Sequence, residues 1–184
     1  MTNFFIKKRL AREWNAERNA NFISYADSRH IVVLAEAADI DRLRDIACQW
    51  QKENKDVTWV IYTTSALSAT LPGRIIPIHQ RLGGLLSFPT VQETELFDAV
   101  KPDTLIDISQ GKHIALQFLA AHSKAPMKIG VIETAQQNPP FDLIVRRNES
   151  PGAEILLQEI ILYWNKIDSK DAPTIKRNEQ STDL

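Results

Sequence analysis

Cysteine, glycine and long apolar runs are scarce in this sequence. Cys48 is the one cysteine among 184 residues, which excludes an intrachain disulfide and a metal cluster built from cysteines. The 4 histidines lack the H-x-H or H-x-x-x-H spacing of a metal site, so no metal is predicted. No apolar run approaches the roughly 20 residues that a membrane-spanning helix needs.

The 6 glycines do not form a phosphate-binding loop. Residues 36–39, Glu-Ala-Ala-Asp, follow the first predicted strand, where a dinucleotide-binding fold carries G-x-G-x-x-G. Side chains there would block close approach of the backbone, and the two acids would repel a pyrophosphate. The sequence therefore argues against a nucleotide at the first turn, and no cofactor is predicted.

Charge of one sign is not in excess either. The net charge is −1 and the pI is about 6.4, so a global basic field for nucleic acid is absent. At the start of the chain, Phe4 and Phe5 precede the first lysines, the reverse of the basic-then-apolar order of an export signal. We therefore expect a cytoplasmic protein.

An amphipathic helix is predicted from Asn3 to Asn19. Ile6, Leu10 and Trp14 recur at helical spacing and form its apolar stripe. Its candidate interaction surface is basic and consists of Lys7, Lys8, Arg9 and Arg12. The helix either packs its stripe onto the domain, docks a protein partner, or contacts an anionic membrane or nucleic acid. Two glutamates among the basic residues disfavour the membrane.

Apolar runs alternate with helical patterns along residues 30–167. Strands are predicted at residues 30–35, 56–62, 75–78, 104–108, 127–132 and 141–146, and helices at 39–54, 90–100, 114–122 and 150–167. This alternation predicts an α/β fold: a three-layer, Rossmann-like sandwich with a mostly parallel sheet of about five or six strands. Pro77 cannot donate a ladder hydrogen bond, so the third strand is expected at or near a sheet edge.

The chain is expected to have three parts. Residues 1–20 form the extra N-terminal helix, residues 30–167 form a single Rossmann-like domain, and residues 168–184 form a polar tail that is predicted to be disordered. The polar stretch from Asn19 to Arg29 is interpreted as a connecting loop.

Ligands of open parallel sheets bind at the carboxyl ends of the strands, and the turn after the fourth predicted strand is the best candidate site. Ser109, Gly111 and Lys112 could present N–H groups and an amine to a small anionic ligand at a helix N-terminus. Plain capping and turn geometry is the alternative, because a P-loop needs two glycines. Asp107, an acid inside an apolar strand, either lines a cleft as a weak catalytic candidate or caps a neighbouring loop.

Residues 102–131, together with the strand FDLIVRR at residues 141–147 and a closing amphipathic helix, resemble a family of small bacterial proteins of unknown function. The likeness extends over nearly the whole chain and includes the basic N-terminal helix. The matching pieces are Leu105-Ile106-Asp107, the Ser123-Lys124-Ala125 turn and Lys128-Ile129-Gly130. This resemblance implies the α/β fold and no particular activity.

A fainter resemblance is to the N-terminal domain of heptosyltransferase-type (GT-B) glycosyltransferases. It rests on Asp103 to Ile108 and on the basic residue of Lys128-Ile129-Gly130. Those enzymes bind their nucleotide-sugar mainly on a second domain, for which this chain has no room, and their glycine-containing first loop is replaced here by residues 36–39. The resemblance thus implies half of such an enzyme, without its catalysis.

Three functional hypotheses follow from the sequence. The first is a non-catalytic domain that acts through contacts with a protein partner, a second copy of the chain or a small ligand. The second is a single-domain transferase or hydrolase that uses Asp107, Ser109 and Lys112. The third is a membrane or nucleic-acid contact through the basic helix, which the overall charge does not favour.

Overall fold

The computed structural model describes residues 2–14, 16–81, 88–133, 141–147 and 152–167. Its helices are α1 (Thr2–Trp14), α2 (Ile40–Lys52), α3 (Val91–Asp98), α4 (Ile114–His122) and α5 (Ala153–Lys166). Its strands are β1 (His30–Glu36), β2 (Asp56–Thr63), β3 (Arg74–His79), β4 (Thr104–Asp107), β5 (Met127–Glu133) and β6 (Leu143–Arg147). Sequence features at residues 83–87, 136–140, 150–151 and 168–184 lie outside the described residues.

The described strands form one parallel sheet in the order β3-β2-β1-β4-β5-β6. β1 is central: Val33 pairs with Trp59 of β2 on one side and with Ile106 of β4 on the other. Its uninterrupted apolar run suits a strand that is buried on both faces. The Rossmann-like α/β prediction is confirmed, as is the edge position of the strand that contains Pro77.

Helices cover both faces of this sheet. The first face packs against α2 and α5, whose buried side chains include Trp50 and Trp164. The second face packs against α1, α3 and α4 through side chains such as Leu10, Phe97 and Leu116. Burial of two separate apolar clusters, one on each side of the strands, gives the predicted three layers.

The start of α2 differs from its prediction in detail. Asp39 is the first residue of the helix predicted at residues 39–54, but in the structure it precedes α2 and its carboxylate makes no capping hydrogen bond. A 3-10 turn at Ala37–Asp39 precedes the helix instead, and the Ile40 N–H donates to the Ala37 carbonyl. The backbone of this turn therefore satisfies the first N–H group of α2, one of the donors that have no partner within the helix.

The N-terminal helix ends at Trp14, five residues before its predicted end at Asn19. Arg18, which was placed on the helix, instead donates to the carbonyls of Ala125 and Pro126 and pairs with Asp142. These contacts with the loop before β5 compete with helical hydrogen bonding and direct the chain along the amino edge of the sheet. The side chain of Trp14 lies outside the described side chains.

The connecting loop at residues 19–29 is more than a polar linker. Phe22, Ile23 and Tyr25 pack against the first-face core, and Ser28 is fully buried with its hydroxyl donated to Asp103. The loop thus runs from the second face of the sheet, which packs against α1, to the first face, which packs against α2. It covers the amino edge of the sheet on the way. Among the described helices, none is long and apolar enough to cross a membrane.

Candidate functional site

The strand order places a topological switch point at the centre of the carboxyl edge. β1 and β4 are neighbours, yet the chain leaves β1 for α2 on one face and leaves β4 for α4 on the other. In open parallel sheets this switch point is where ligands bind. We refer to the side chains that gather there as the β1/β4 crevice: Glu36, Asp39, Tyr62, Asp107, Ser109, Lys112 and His113.

The turn from β4 into α4 is held together by its own hydrogen bonds. Ser109 donates both its backbone N–H (2.9 Å) and its hydroxyl (2.6 Å) to Oδ1 of Asp107. Gln110 and Gly111 both have left-handed backbone, with φ of 57° and 71°, and the second of these positions is the one that glycine adopts readily. The Gly111 carbonyl accepts a hydrogen bond from the Gln117 side chain. Ser109 and Gly111 therefore shape this turn.

Asp107 is the buried centre of the turn, with 3% of its surface exposed. Burial raises the pKa of its carboxyl group, and the two hydrogen bonds from Ser109 act in the opposite direction. The bond from the Ser109 N–H is the backbone contact that the capping interpretation predicts. A role for Asp107 at a reacting group stays a prediction.

We expect Asp107→Ala to lower the free energy of unfolding by about 1–3 kcal/mol, because two buried donors of Ser109 lose their acceptor. Asp107→Asn keeps an acceptor oxygen and is expected to cost clearly less. Urea denaturation of the three proteins measures both effects. If the alanine variant were as stable as the natural chain, the structural role assigned to this carboxylate would be wrong.

Glu36 lies at the carboxyl end of β1, between two basic groups of the turn. One carboxylate oxygen is 3.5 Å from Nζ of Lys112 and the other is 3.3 Å from Nε2 of His113. The His113 ring is also stacked on Tyr62, with 3.8 Å between ring centroids. Nε2 of His113 is buried and has no aligned hydrogen-bond partner, although Glu36 is within ion-pair distance. The Glu36 carboxylate is therefore the charged group that faces this nitrogen.

Carboxylates dominate the electrostatics of the crevice. Burial raises the pKa of Asp39, and the nearby charge of Glu36 raises it further, against the opposing charges of Lys112 and Arg42. Burial and the charge of Glu36 also raise the pKa of the Tyr62 phenol. In both groups burial is the larger cause and the negative charge of Glu36 is the second, and this charge would also repel an incoming anion.

The predicted ligand residues occupy one turn but offer different groups. Ser109 is 2% exposed and its hydroxyl is donated to Asp107, whereas the Lys112 side chain is exposed and paired with Glu36. Sequence reasoning missed Glu36 and His113 as parts of this site. The signal available for Glu36 was an acid immediately after a predicted buried strand. His113 had no such signal, because its place in the site depends on its contact with Tyr62 of β2.

The four basic residues of α1 are exposed, and one of them has a specific contact. The Arg9 guanidinium lies 4.4 Å from the ring centroid of Phe88 and 4.9 Å from that of Phe118. Leu10 is buried against the second-face core, as the packing interpretation predicts. Recognition of a partner by Lys7, Lys8, Arg9 and Arg12 stays a prediction.

His122 of α4 contacts both α1 and α3. Its Nδ1 lies 2.8 Å from a Glu13 oxygen of α1, and its Nε2 lies 3.1 Å from an Asp98 oxygen at the end of α3. Its ring is stacked on Phe118. Within the described residues, no group of three potential metal-ligating side chains is suited to hold a metal ion. His122, Glu13 and Asp98 therefore form a polar contact between α4, α1 and α3.

Comparison with known proteins identifies the family of this chain. A search of curated proteins found no significant match. One family model matches residues 2–167, from the first turn of α1 to the end of α5, and its description is a family of unknown function. The chain belongs to this family, DUF6913.

Proposed function

We propose that this chain is a non-catalytic α/β domain that binds a small, hydroxyl-bearing ligand in the β1/β4 crevice. The observation that carries the proposal is the position of the Glu36 carboxylate, at the switch point of the sheet and between Lys112 and His113. A carboxylate at a strand end can accept hydrogen bonds from ligand hydroxyl groups, as an acid of dinucleotide folds accepts one from a ribose.

The charges of the crevice favour a hydroxyl-bearing ligand over an anion. The amine of Lys112, the group expected to attract an anion, is already paired with Glu36. Asp39 and Asp107 add two further acids, whose charged forms are disfavoured by burial. A neutral ligand with several hydroxyl groups can donate to Glu36 and accept from Lys112 without adding charge to this surface.

The arrangement of Ser109 supports binding without catalysis. A nucleophilic serine needs a base that takes its proton and a position open to substrate. The Ser109 hydroxyl instead donates to Asp107 inside a buried turn. The alternative of a transferase or hydrolase would require this turn to open before either residue could meet a substrate.

The fainter sequence resemblance supports the same ligand class. The chain resembles the N-terminal domain of heptosyltransferase-type glycosyltransferases, whose substrates are sugars. Those enzymes bind the nucleotide-sugar mainly on a second domain, so the resemblance supports a sugar as the class of ligand and not the nucleotide-sugar site itself. Glu36 and Asp39 replace the glycine-containing loop of those enzymes, which accounts for binding without transfer.

The test is thermal denaturation of the full chain with a panel of defined probes: glucose, uridine, UDP-glucose, inorganic phosphate and pyrophosphate. A ligand present at about 100 times its dissociation constant adds about 2.7 kcal/mol of stability. For a chain of this size that raises the midpoint by roughly 5–10 °C. We expect at least one hydroxyl-bearing probe to produce such a shift and Glu36→Gln to remove it.

The matched control is Asp41→Asn, which neutralises an exposed carboxylate on α2 that pairs with Arg44 outside the crevice. It is expected to keep the shift. Phosphate or pyrophosphate shifts that survive Glu36→Gln but vanish in Lys112→Met would replace this proposal with the anionic ligand predicted from the sequence. No shift with any probe would overturn ligand binding in favour of protein contacts.

A further inference from the structure

The edge of the sheet opposite Pro77 forms a groove. β6 is the last strand in the sheet order, and a cavity of about 340 Å³ lies between it and α5. Both elements line this cavity, through residues 143–146 of the strand and through Glu159, Tyr163, Lys166 and Ile167 of the helical segment. An edge strand of this kind presents backbone N–H and C=O groups to any chain that approaches it.

The solvent side of α5 carries more apolar surface than a solvated helix needs. Ile155, Leu162 and Tyr163 are 48%, 51% and 48% exposed. They are distinct from the core side of the same helix, where Leu156 and Trp164 are fully buried. The exposed residues recur at a spacing of seven and eight, so they form one stripe beside the groove.

Charges flank this stripe in a symmetric pattern. The sequence from Glu159 to Lys166 is E-I-I-L-Y-W-N-K, with the acid three residues before Leu162 and the base three residues after Tyr163. If a second copy of α5 runs antiparallel across a twofold axis between Leu162 and Tyr163, each Glu159 approaches the other copy's Lys166. The surface is thus complementary to itself, as a twofold interface requires.

We propose that two copies of this chain associate through β6 and α5. A twofold axis perpendicular to the sheet places the two β6 strands antiparallel, edge to edge, and places the two α5 helices side by side on the same face. Leu162 and Tyr163 form the apolar centre of the contact, and the pairs between Glu159 and Lys166 lie at its margins. Pairing of the strands also covers the edge of β6 that no other described strand pairs with.

The tail of the chain is a poorer occupant of this groove. It begins at residue 168, directly after the cavity-lining Ile167, but residues 168–184 are mostly charged or polar, with Ile175 and Leu184 as their only large aliphatic side chains. Such a segment offers little apolar surface to the stripe of α5. A second copy offers a stripe of equal size and the opposite order of charges.

Sedimentation velocity of the full chain, from about 1 to 100 µM, tests the association, because this range covers interfaces of modest affinity. We expect dimers that dissociate on dilution. Leu162→Glu is expected to weaken the dimer at least about tenfold, since it places a charge in the apolar centre. Leu96→Glu, at the 41% exposed Leu96 of α3, makes the same change on another helix and is expected to leave the dimer intact.

A charge exchange separates this interface from any other mode of association. Glu159→Lys places like charges together across the axis and is expected to weaken the dimer about five- to tenfold. The double variant Glu159→Lys with Lys166→Glu restores opposite charges and is expected to restore the affinity. A chain that is monomeric at 100 µM overturns the proposal, as does a dimer that Leu162→Glu leaves unchanged; either result assigns the groove to the tail or to another protein.

Discussion

Trp164→Ala is expected to lower the free energy of unfolding by about 3–5 kcal/mol, among the largest effects of any single substitution in this chain. Trp164 is fully buried in the first-face core, so its removal leaves a large cavity between α5 and the sheet. Its indole N–H also donates to the Ile23 carbonyl at 2.7 Å, and its ring meets Tyr25 edge to face. The substitution therefore also loosens the segment that connects the two faces of the sheet.

Two comparisons separate these contributions. Trp164→Phe keeps most of the apolar volume but leaves the Ile23 carbonyl without its donor, and is expected to cost about 1–3 kcal/mol. Tyr163→Ala removes an aromatic ring from the adjacent exposed position and is expected to cost well under about 1 kcal/mol in dilute solution. Urea denaturation provides all three values. Equal losses for Trp164→Ala and Tyr163→Ala would contradict the assigned burial.

The parts of the fold that could be predicted are those with a local physical cause. The helix predicted at residues 90–100 begins with such a cause, because Thr90 and Glu93 form a capping box in which each side chain bonds to the backbone of the other residue. Pro77 identified an edge strand because it lacks an N–H group. The closing helix was predicted to be amphipathic, and Trp164 lies on its buried side.

Contacts between distant segments could not be predicted in the same way. Asn19 to Arg29 looked polar, yet Tyr25 accepts a hydrogen bond from Trp50 of α2 and donates one to Glu53, the residue that follows α2. Nothing in the local sequence connects these positions. The end of α1 was placed too late for a related reason: the contacts of Arg18 with Ala125 and Pro126 outweigh the helical propensity of its own segment.

The candidate site was predicted in part for the same physical reasons. The turn at Ser109 to Lys112 was identified because a strand, a glycine and a helix start follow one another in the sequence. Glu36 reaches that turn only because β1 pairs with β4, a strand that begins 68 positions after Glu36 in the sequence. The order of the strands in the sheet decides which loops meet at its carboxyl edge. The spacing of apolar residues within one segment gives no information on that order.

Lys128 provides the second large effect, a dependence of stability on pH. This strand residue is 2% exposed, and its amine donates to the carbonyls of Ala120 and Ala121 at the end of α4. Burial, reinforced by the nearby charge of Arg18, lowers the pKa of Lys128 from 10.5 to about 7. Folding therefore favours the neutral amine, which still has two N–H groups for the two carbonyls.

The direction of the pH dependence follows from proton counting. Between pH 7 and 10.5 the unfolded chain binds a proton at Lys128 that the folded chain lacks, so the free energy of unfolding rises with pH, by up to about 1.4 kcal/mol per pH unit. Below pH 7 the full cost of the buried charge is present. We expect the natural chain to gain about 3 kcal/mol between pH 6.5 and pH 9.5 relative to Lys128→Met, which cannot titrate at this position.

Urea denaturation at pH 6.5, 8.0 and 9.5 measures this difference, and the comparison with Lys128→Met cancels the groups that titrate in both proteins. Lys124→Met is the matched control, because Lys124 is an exposed lysine whose amine donates to the Glu17 carbonyl. Its stability is expected to follow that of the natural chain across the whole range. Parallel curves for the natural chain and Lys128→Met would show that the buried amine keeps its proton, with an ordinary pKa, beneath α4.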